Sequence, residues 1–193
     1  MRSMRFVPVA ISAACVVISA ALWSCAPAAK QEAAVPVAMT PEQKVSRGQY
    51  LSSVIGCNDC HTPGSFYGSP DMTRQLSGSE LGWKGPWGIS FARNLTPDST
   101  GIGSWSEDQI VTAIREGRRP DGTPLLPPMP WPTFANLTLE DAQAIAAYLK
   151  SIPAVNHPNV HAVPPGQPYA GGYLEFPPPP AWDAPKPPPT AAK

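Results

Sequence analysis

The stretch CNDCH, residues 57–61, constrains this chain more than any other, because it places two thiols and an imidazole side by side. The sequence has four cysteines. Cys15 and Cys25 lie in or next to an apolar N-terminal segment, which leaves Cys57 and Cys60 as the pair available to a folded domain. We therefore expect the functional site of the domain to be built around these five residues.

C-x-x-C-H is the attachment signature of c-type haem, in which two thiols add to the vinyl groups of one haem edge. The adjacent His61 would then be the proximal iron ligand. Three alternatives remain open. A thioredoxin-like thiol pair belongs on a βαβ unit, whereas Cys57 and Cys60 follow a capped helix. A zinc site needs four ligands, which only a mixed set with His157 and His161 could supply. A plain disulfide is the third. The motif favours one covalently bound haem c.

Residues 1–25 are typical of an export signal. Arg2 and Arg5 precede a mostly apolar run, and Leu22-Trp23-Ser24-Cys25 resembles a bacterial lipobox. We therefore expect a lipid on Cys25, with an uncleaved anchor or cleavage after residues 26–28 as the alternatives. All three outcomes place the remaining chain outside the cytoplasm, in the periplasm. The first two also anchor it to the membrane.

Helix start and stop signals predict three helices within residues 40–157. The expected N-caps are Thr40, Ser106 and Thr138, and the expected ends lie near Gly56, Gly117 and Pro153. Residues 61–104, rich in Gly, Ser and Pro, are expected to be mostly loop, with short turns or a small strand pair. A long loop of this kind needs an internal surface to wrap. We therefore expect an all-α domain over residues 40–157, with three main helices and long loops around one haem.

Proline is the outlier in the composition, with 27 residues, of which 13 follow residue 152. Residues 26–39, rich in Ala and Pro, are predicted to be a tether. Residues 158–193 are predicted to form a Pro-rich tail that is extended on the surface or disordered. The 14 basic and 14 acidic residues balance, which argues against a nucleic-acid partner.

Five stretches resemble a known family: RGQYL, GCNDCHT, NLTPDSTGIGSWS, AIREGRRPDGTPLLPPMPWPTF and LTLEDAQAIAAYLKSIPAV. Together they span residues 47–155 and look like a class I c-type cytochrome. The closer likeness is to cytochrome c subunits of bacterial membrane-bound dehydrogenases acting on alcohols, aldehydes or sugar acids. Those subunits often carry three haem motifs, whereas this chain carries one.

The resemblance implies roles for several further residues. Gly48 would let the first and last helices cross closely, opposite Tyr148 or Leu149. The carbonyl of Pro86, or of Pro63, would accept the proton of the proximal imidazole. Two sets of residues would contact the haem propionates, namely Asn94 with Trp105, and Arg115 with Arg118 and Arg119. The alternatives are helix or turn capping for Asn94 and core packing for Trp105. For the three arginines they are a partner-docking patch and a solvated surface.

In the stretch LLPPMPWPTF, residues 125–134, four prolines restrict the backbone around Met129. We expect Met129 to be the sixth iron ligand, opposite His61, because a weak thioether ligand must be held in place by the protein. Met72 is a weaker candidate. One of the two histidines after residue 156 would instead give a bis-histidine haem, and a buried core methionine is the structural alternative.

An iron with two protein ligands has no open position, so it moves single electrons. The sequence therefore predicts a periplasmic mono-haem electron carrier rather than an enzyme. Its donor would be a dehydrogenase, and its acceptor an oxidase or another cytochrome. The alternatives are a haem subunit of a membrane-bound dehydrogenase complex, a peroxidase or gas-binding haem protein, and an assembly subunit that docks through its proline tail.

Overall fold

The computed structural model describes residues 38–177. The predicted lipidation site Cys25, most of the predicted tether and the end of the proline tail lie outside the described residues. Within them the chain forms five α-helices, two 3-10 turns and one three-stranded sheet. The helices are α1 (Pro41–Val54), α2 (Cys57–His61), α3 (Glu107–Glu116), α4 (Trp131–Phe134) and α5 (Leu139–Ser151). The 3-10 turns are Ser65–Tyr67 and Met72–Arg74, and the strands are β1 (Gly82–Gly85), β2 (Gly88–Phe91) and β3 (Tyr173–Glu175).

The N-caps of α1, α3 and α5 are those that the sequence predicts. The Thr40 and Ser106 side chains each accept from the backbone N–H three residues later and complete a capping box with a glutamine. The Thr138 hydroxyl accepts from the Asp141 N–H at 3.0 Å. Each cap satisfies a backbone donor that an uncapped helix would leave without a partner. Helix α1 ends slightly before the expected position, and Gly56 (φ 75°) turns the chain into α2.

Helices α1 and α5 cross at Gly48, which confirms the close approach predicted for this residue. A Cβ atom at position 48 would overlap the Ala144 carbonyl oxygen and lie 2.8 Å from the Tyr148 Cβ. Arg47, the residue before Gly48, also links α1 to α5, because its Nε donates to Asp141 Oδ1 at 2.9 Å. The main hydrophobic core lies beneath this crossing. Its most buried members include Ile110, Ala142, Ile145, Ala146 and Leu149.

The prediction of an all-α domain is wrong, because the molecule also contains a sheet with strand order β2-β1-β3. Strands β1 and β2 form an antiparallel hairpin, in line with the small strand pair expected in this loop. Strand β3 pairs with β1 in parallel, with Gly82 opposite Tyr173. It comes from the predicted proline tail, where an exposed three-residue strand has no periodic signature of its own.

Residues 153–177, here called the C-terminal strap, run back across the loops between α2 and α3. Val155 N donates to Thr96 Oγ1 at 3.1 Å, and Val163 pairs with Ile89 of β2. The strap then follows β1, where Phe176 N donates to Lys84 O at 2.8 Å. The strap therefore adds polar contacts and a strand to the helical domain. Across residues 38–177, no helix is both long enough and apolar enough to cross a bilayer.

Candidate functional site

Helix α2 carries the CNDCH stretch as a single short turn of helix that begins after Gly56. Cys57 and Cys60 are both free thiols, spaced so that they share one face of the helix. Cys57 packs against the hydrophobic core, and burial raises its pKa to about 11. Burial and the charge of Asp59 raise the pKa of Cys60 as well. A catalytic thiol pair requires a lowered pKa, so this environment does not favour the thioredoxin-like alternative.

His61 is oriented by the backbone of a distant loop. Its Nδ1 lies 2.7 Å from the Arg93 carbonyl oxygen, which can only accept a hydrogen bond. The proton therefore lies on Nδ1, and Nε2 keeps a lone pair that can bind a metal ion. Burial lowers the pKa of His61, and the bond to Arg93 offsets part of this shift. The result is a neutral imidazole with one fixed tautomer, which is the form that a metal ligand needs.

Two loop segments that pair with each other bring Arg93 beside His61. Ser79 N donates to Ala92 O at 3.0 Å, Leu95 N donates to Leu76 O at 2.8 Å, and Gly78 N donates to His61 O at 2.8 Å. The segments 76–79 and 92–95 therefore lie side by side next to the end of α2.

This geometry contradicts both prolines that the resemblance suggested as acceptor. Pro86 lies at the tip of the β1–β2 hairpin, between the paired residues Gly85 and Gly88. The Pro63 carbonyl accepts instead from Asp71 N at 2.8 Å. The acceptor for His61 is the backbone of Arg93, and no residue type is needed to supply a carbonyl, so the sequence contains no signal for it.

Met129 lies in a turn just before α4, where its N–H donates to Leu126 O at 3.3 Å. The hydroxyl of Ser90, in β2, donates to the Pro127 carbonyl, and the Trp131 ring lies directly over Gly117 at the end of α3. Met129 is half-buried and packs against the same hydrophobic core as Cys57. Residues 126–131, here called the methionine loop, are thus held by β2 at one end and by the end of α3 at the other.

The other candidate ligands are less well placed. Met72 lies in a 3-10 turn and is 57% exposed. Both ring nitrogens of His157 have partners, since Nδ1 lies 2.8 Å from Ser77 O and Nε2 lies 3.0 Å from Glu80 Oε1. His161 is exposed. Residues 38–177 contain no cluster of three or more histidine, cysteine, aspartate or glutamate side chains that could hold a metal ion, so the zinc alternative has no support there.

Asn94, expected as a propionate contact, is instead part of the loop framework. It is 1% exposed, and its Nδ2 donates to Val155 O at 2.8 Å and to Thr100 Oγ1 at 3.0 Å. Its Oδ1 accepts from Thr96 N at 2.9 Å. These bonds use the donors and the acceptor of the amide within the protein. The side chain of Trp105 packs against the core, and its contact with a propionate stays a prediction.

Two of the three arginines after Ile114 have buried polar atoms without a partner. The Nε atoms of Arg115 and Arg119 are buried and make no hydrogen bond within the described part of the chain. Burial and the nearby charge of Arg93 lower the pKa of Arg119. Arg118 is exposed. Both residues are half-buried, and the Arg119 guanidinium also donates from Nη1 to Thr123 Oγ1 at 2.9 Å. A buried N–H that lacks an acceptor is costly, and an anionic group of a bound cofactor could serve as that acceptor.

These features together test whether haem c fits the site. The chain offers two free thiols on one helical turn, an imidazole with a fixed tautomer, a thioether held on a separate loop, and two buried arginine Nε donors without a partner in the described residues. In a haem c, the thiols would bond the vinyl groups, the imidazole and the thioether would bind the iron, and the arginine donors would contact the propionates. The residues present therefore fit the group.

Comparison with known proteins points in the same direction. The chain is 37% identical over 120 residues to the cytochrome c subunit of quinone alcohol dehydrogenase from Gluconacetobacter polyoxogenes, covering 60% of this chain and 24% of that one. It is 35% identical over 106 residues to the fructose dehydrogenase cytochrome subunit of Gluconobacter japonicus, covering 54% of this chain and 20% of that one. It is 37% identical over 105 residues to the gluconate 2-dehydrogenase cytochrome c subunit of Pantoea cypripedii, covering 54% and 22%.

The chain resembles the cytochrome c subunits of bacterial dehydrogenases. The resemblance predicted from the sequence is thereby confirmed. The chain spans 20–24% of the length of these three relatives. No family model matches it.

Proposed function

We propose that this chain is a c-type cytochrome that holds one haem c and transfers single electrons. Cys57 and Cys60 would carry the thioether bonds, His61 would be the proximal ligand and Met129 the distal ligand. The observation that carries the proposal is the bond of 2.7 Å between His61 Nδ1 and Arg93 O, which leaves Nε2 as a free ligand beside two free thiols. When bound, the haem supplies a one-electron ferric–ferrous couple.

The remaining residues of the site support electron transfer rather than turnover. The methionine loop is fixed by the Ser90 bond to Pro127 and by the contact of Trp131 with Gly117. A thioether held in this way would occupy the sixth position, which a peroxidase or gas-binding protein keeps open. Because methionine ligation also raises the reduction potential, the site suits the acceptance of electrons from a dehydrogenase.

The relatives favour a subunit of a dehydrogenase complex over a freely diffusing carrier. Those named above are cytochrome subunits of alcohol, fructose and gluconate dehydrogenases. We therefore propose that this domain receives electrons from a dehydrogenase with which it assembles, and passes them to an oxidase or another cytochrome. Export to the periplasm, with anchoring through a lipid on Cys25, completes the proposal. Intact-mass analysis of membrane-extracted protein would test the lipid.

Optical spectroscopy of the exported protein tests the haem and its ligands together. The alkaline pyridine spectrum should report about one haem c per chain, and Cys57→Ala with Cys60→Ala should abolish covalent attachment. The ferric protein should show the weak long-wavelength band of iron–thioether coordination. That band should disappear in Met129→Ala and remain in the matched control Met72→Ala. A band that survives in Met129→Ala would exclude Met129 as the ligand.

Purification from native membranes separates the two electron-transfer roles. A subunit should copurify with a dehydrogenase, and its haem should be reduced when that enzyme's substrate is added. A freely diffusing carrier should separate from the dehydrogenase at high salt concentration. It should still accept electrons when it is mixed with the purified dehydrogenase. Rapid turnover of hydrogen peroxide by the isolated protein would contradict both roles.

A further inference from the structure

The peptide unit that joins Arg93 to Asn94 makes two hydrogen bonds on opposite sides. Its carbonyl oxygen lies 2.7 Å from His61 Nδ1, and its N–H donates to Asn159 Oδ1 at 2.6 Å. A peptide unit is planar and its C=O and N–H are conjugated, so the two bonds act on one electronic group. Asn159 and His61 are thereby connected through a single amide, although they lie on different elements.

The orientation of Asn159 is fixed from its other side. Its Nδ2 donates to the carbonyl of Thr100, so its Oδ1 must face the N–H of Asn94. The Thr100 hydroxyl accepts from Asn94 Nδ2 at 3.0 Å and from His157 N at 3.0 Å. The Asn159 amide therefore cannot rotate without losing both of its bonds to the loop, those with Thr100 O and Asn94 N. Asn159 is held as an acceptor in one direction.

Hydrogen bonds in a chain polarise one another. An acceptor on the N–H of residue 94 increases the negative charge on the carbonyl oxygen of residue 93. A more negative oxygen accepts more strongly from His61 Nδ1, and this bond makes the opposite nitrogen a more basic ligand. A more basic ligand stabilises the ferric state and lowers the reduction potential.

We propose that Asn159 is a positioning residue that tunes the proximal histidine through the 93–94 peptide. The proposal rests on the proposed function, because it takes His61 as the iron ligand. It gives the C-terminal strap a part in the redox site, although the strap contributes no iron ligand. The effect acts on the reduction potential and on the His61 proton.

Four variants test the proposal on the full-length, haem-loaded protein. Asn159→Ala removes the acceptor. Asn159→Asp keeps an oxygen, and a stronger acceptor, for the Asn94 N–H, although it gives up the Nδ2 donor to Thr100 O. Asn156→Ala and Asn156→Asp are matched controls, because Asn156 lies on the same strap and its Nδ2 contacts Asp98 Oδ1 at 3.3 Å instead of the 93–94 peptide. The measurements are the midpoint potential and the proton NMR shift of His61 Nδ1–H in the ferrous protein.

Asn159→Ala should raise the midpoint potential and move the His61 Nδ1 proton upfield. Asn159→Asp should lower the potential and move the proton downfield. Both changes should exceed those in the corresponding Asn156 variants. If Asn159→Ala does not fold, Asn159→Asp and its control carry the test. The proposal would be overturned if matched variants at positions 159 and 156 changed the midpoint potential and the His61 proton shift equally. Absence of covalent haem from the wild-type protein would instead overturn the proposed function itself.

Discussion

The helical and loop parts of this domain are held together by different forces. Helices α1, α3 and α5 meet through apolar and small side chains, with Gly48 against Ala144 and Ile145 only 1% exposed. The loops between α2 and α3 meet the C-terminal strap through buried polar side chains instead. Three of these, Ser77, Asn94 and Thr96, are at most 1% exposed and bond residues of the strap.

The difference follows from the backbone. A helix satisfies its own N–H and C=O groups, so its buried face can be entirely apolar. An irregular loop cannot, and side chains such as Asn94 and Thr96 supply the missing partners. Helix α2 lies where the two parts meet. Cys57 packs on the helical core, whereas His61 takes its orientation from the loop part.

The largest expected effect is on the helical part. Gly48→Ala should destabilise the protein by roughly 3 kcal/mol, because the new Cβ overlaps backbone atoms of α5 that cannot move aside. This loss opposes the gain of up to about 1 kcal/mol that alanine brings to a helix interior. Guanidinium unfolding of the purified protein measures the change. Gln49→Ala, at an exposed position on the same helix, should stay within about 0.5 kcal/mol of wild type.

A change in the loop part should cost slightly less. Asn94→Ala should destabilise the protein by about 2 kcal/mol, because it leaves the buried Thr96 N–H without its acceptor and removes the shorter of the two side-chain bonds to Val155 O. Asn136→Ala is the control, since its single bond to Thr133 O lies on the surface. Unfolding curves for both variants compare the two sites. Equal stability of the two variants would mean that the polar network does not hold the loops.

Loss of a helix cap should have a moderate effect. Ser106→Ala removes the acceptor for Gln109 N and should cost about 1 kcal/mol. Ser106→Gly should recover most of that loss, because glycine is tolerated at an N-cap position. Thermal melts of the two variants and wild type measure the difference. A larger loss than in Asn94→Ala would contradict the expected order of these two variants.

The smallest effect concerns the charge of Asp71. The Thr73 hydroxyl and the Arg74 guanidinium hold the pKa of Asp71 at about 2. Because this pKa is lower in the folded than in the unfolded protein, the charge stabilises the fold above the ordinary value of 3.8 and stops doing so as the pH falls through about 2. Asp71→Asn should therefore lower the melting temperature slightly at neutral pH. A series of melts should show the difference vanish in acid.

The sequence by itself determined the local features of the molecule. Caps such as Thr40 and Ser106 predicted where helices begin, because a cap acts within three residues of itself. The C-x-x-C-H spacing predicted which residues would form the site, since covalent attachment needs those groups within one helical turn. The likeness to cytochrome c subunits also followed from the sequence, and with it the role of Gly48 at the helix crossing.

Only the tertiary structure decided what surrounds those residues. The partner of His61 is a backbone carbonyl 32 residues away, and the acceptor for Asn94 N–H lies 65 residues away. Every residue has a carbonyl and several asparagines are available, so neither choice leaves a local pattern. The sequence also contains no local signal for strand β3, because its pairing with β1 uses main-chain groups. The sequence specifies which atoms can react, whereas the long-range folding of polar loops specifies how they are oriented.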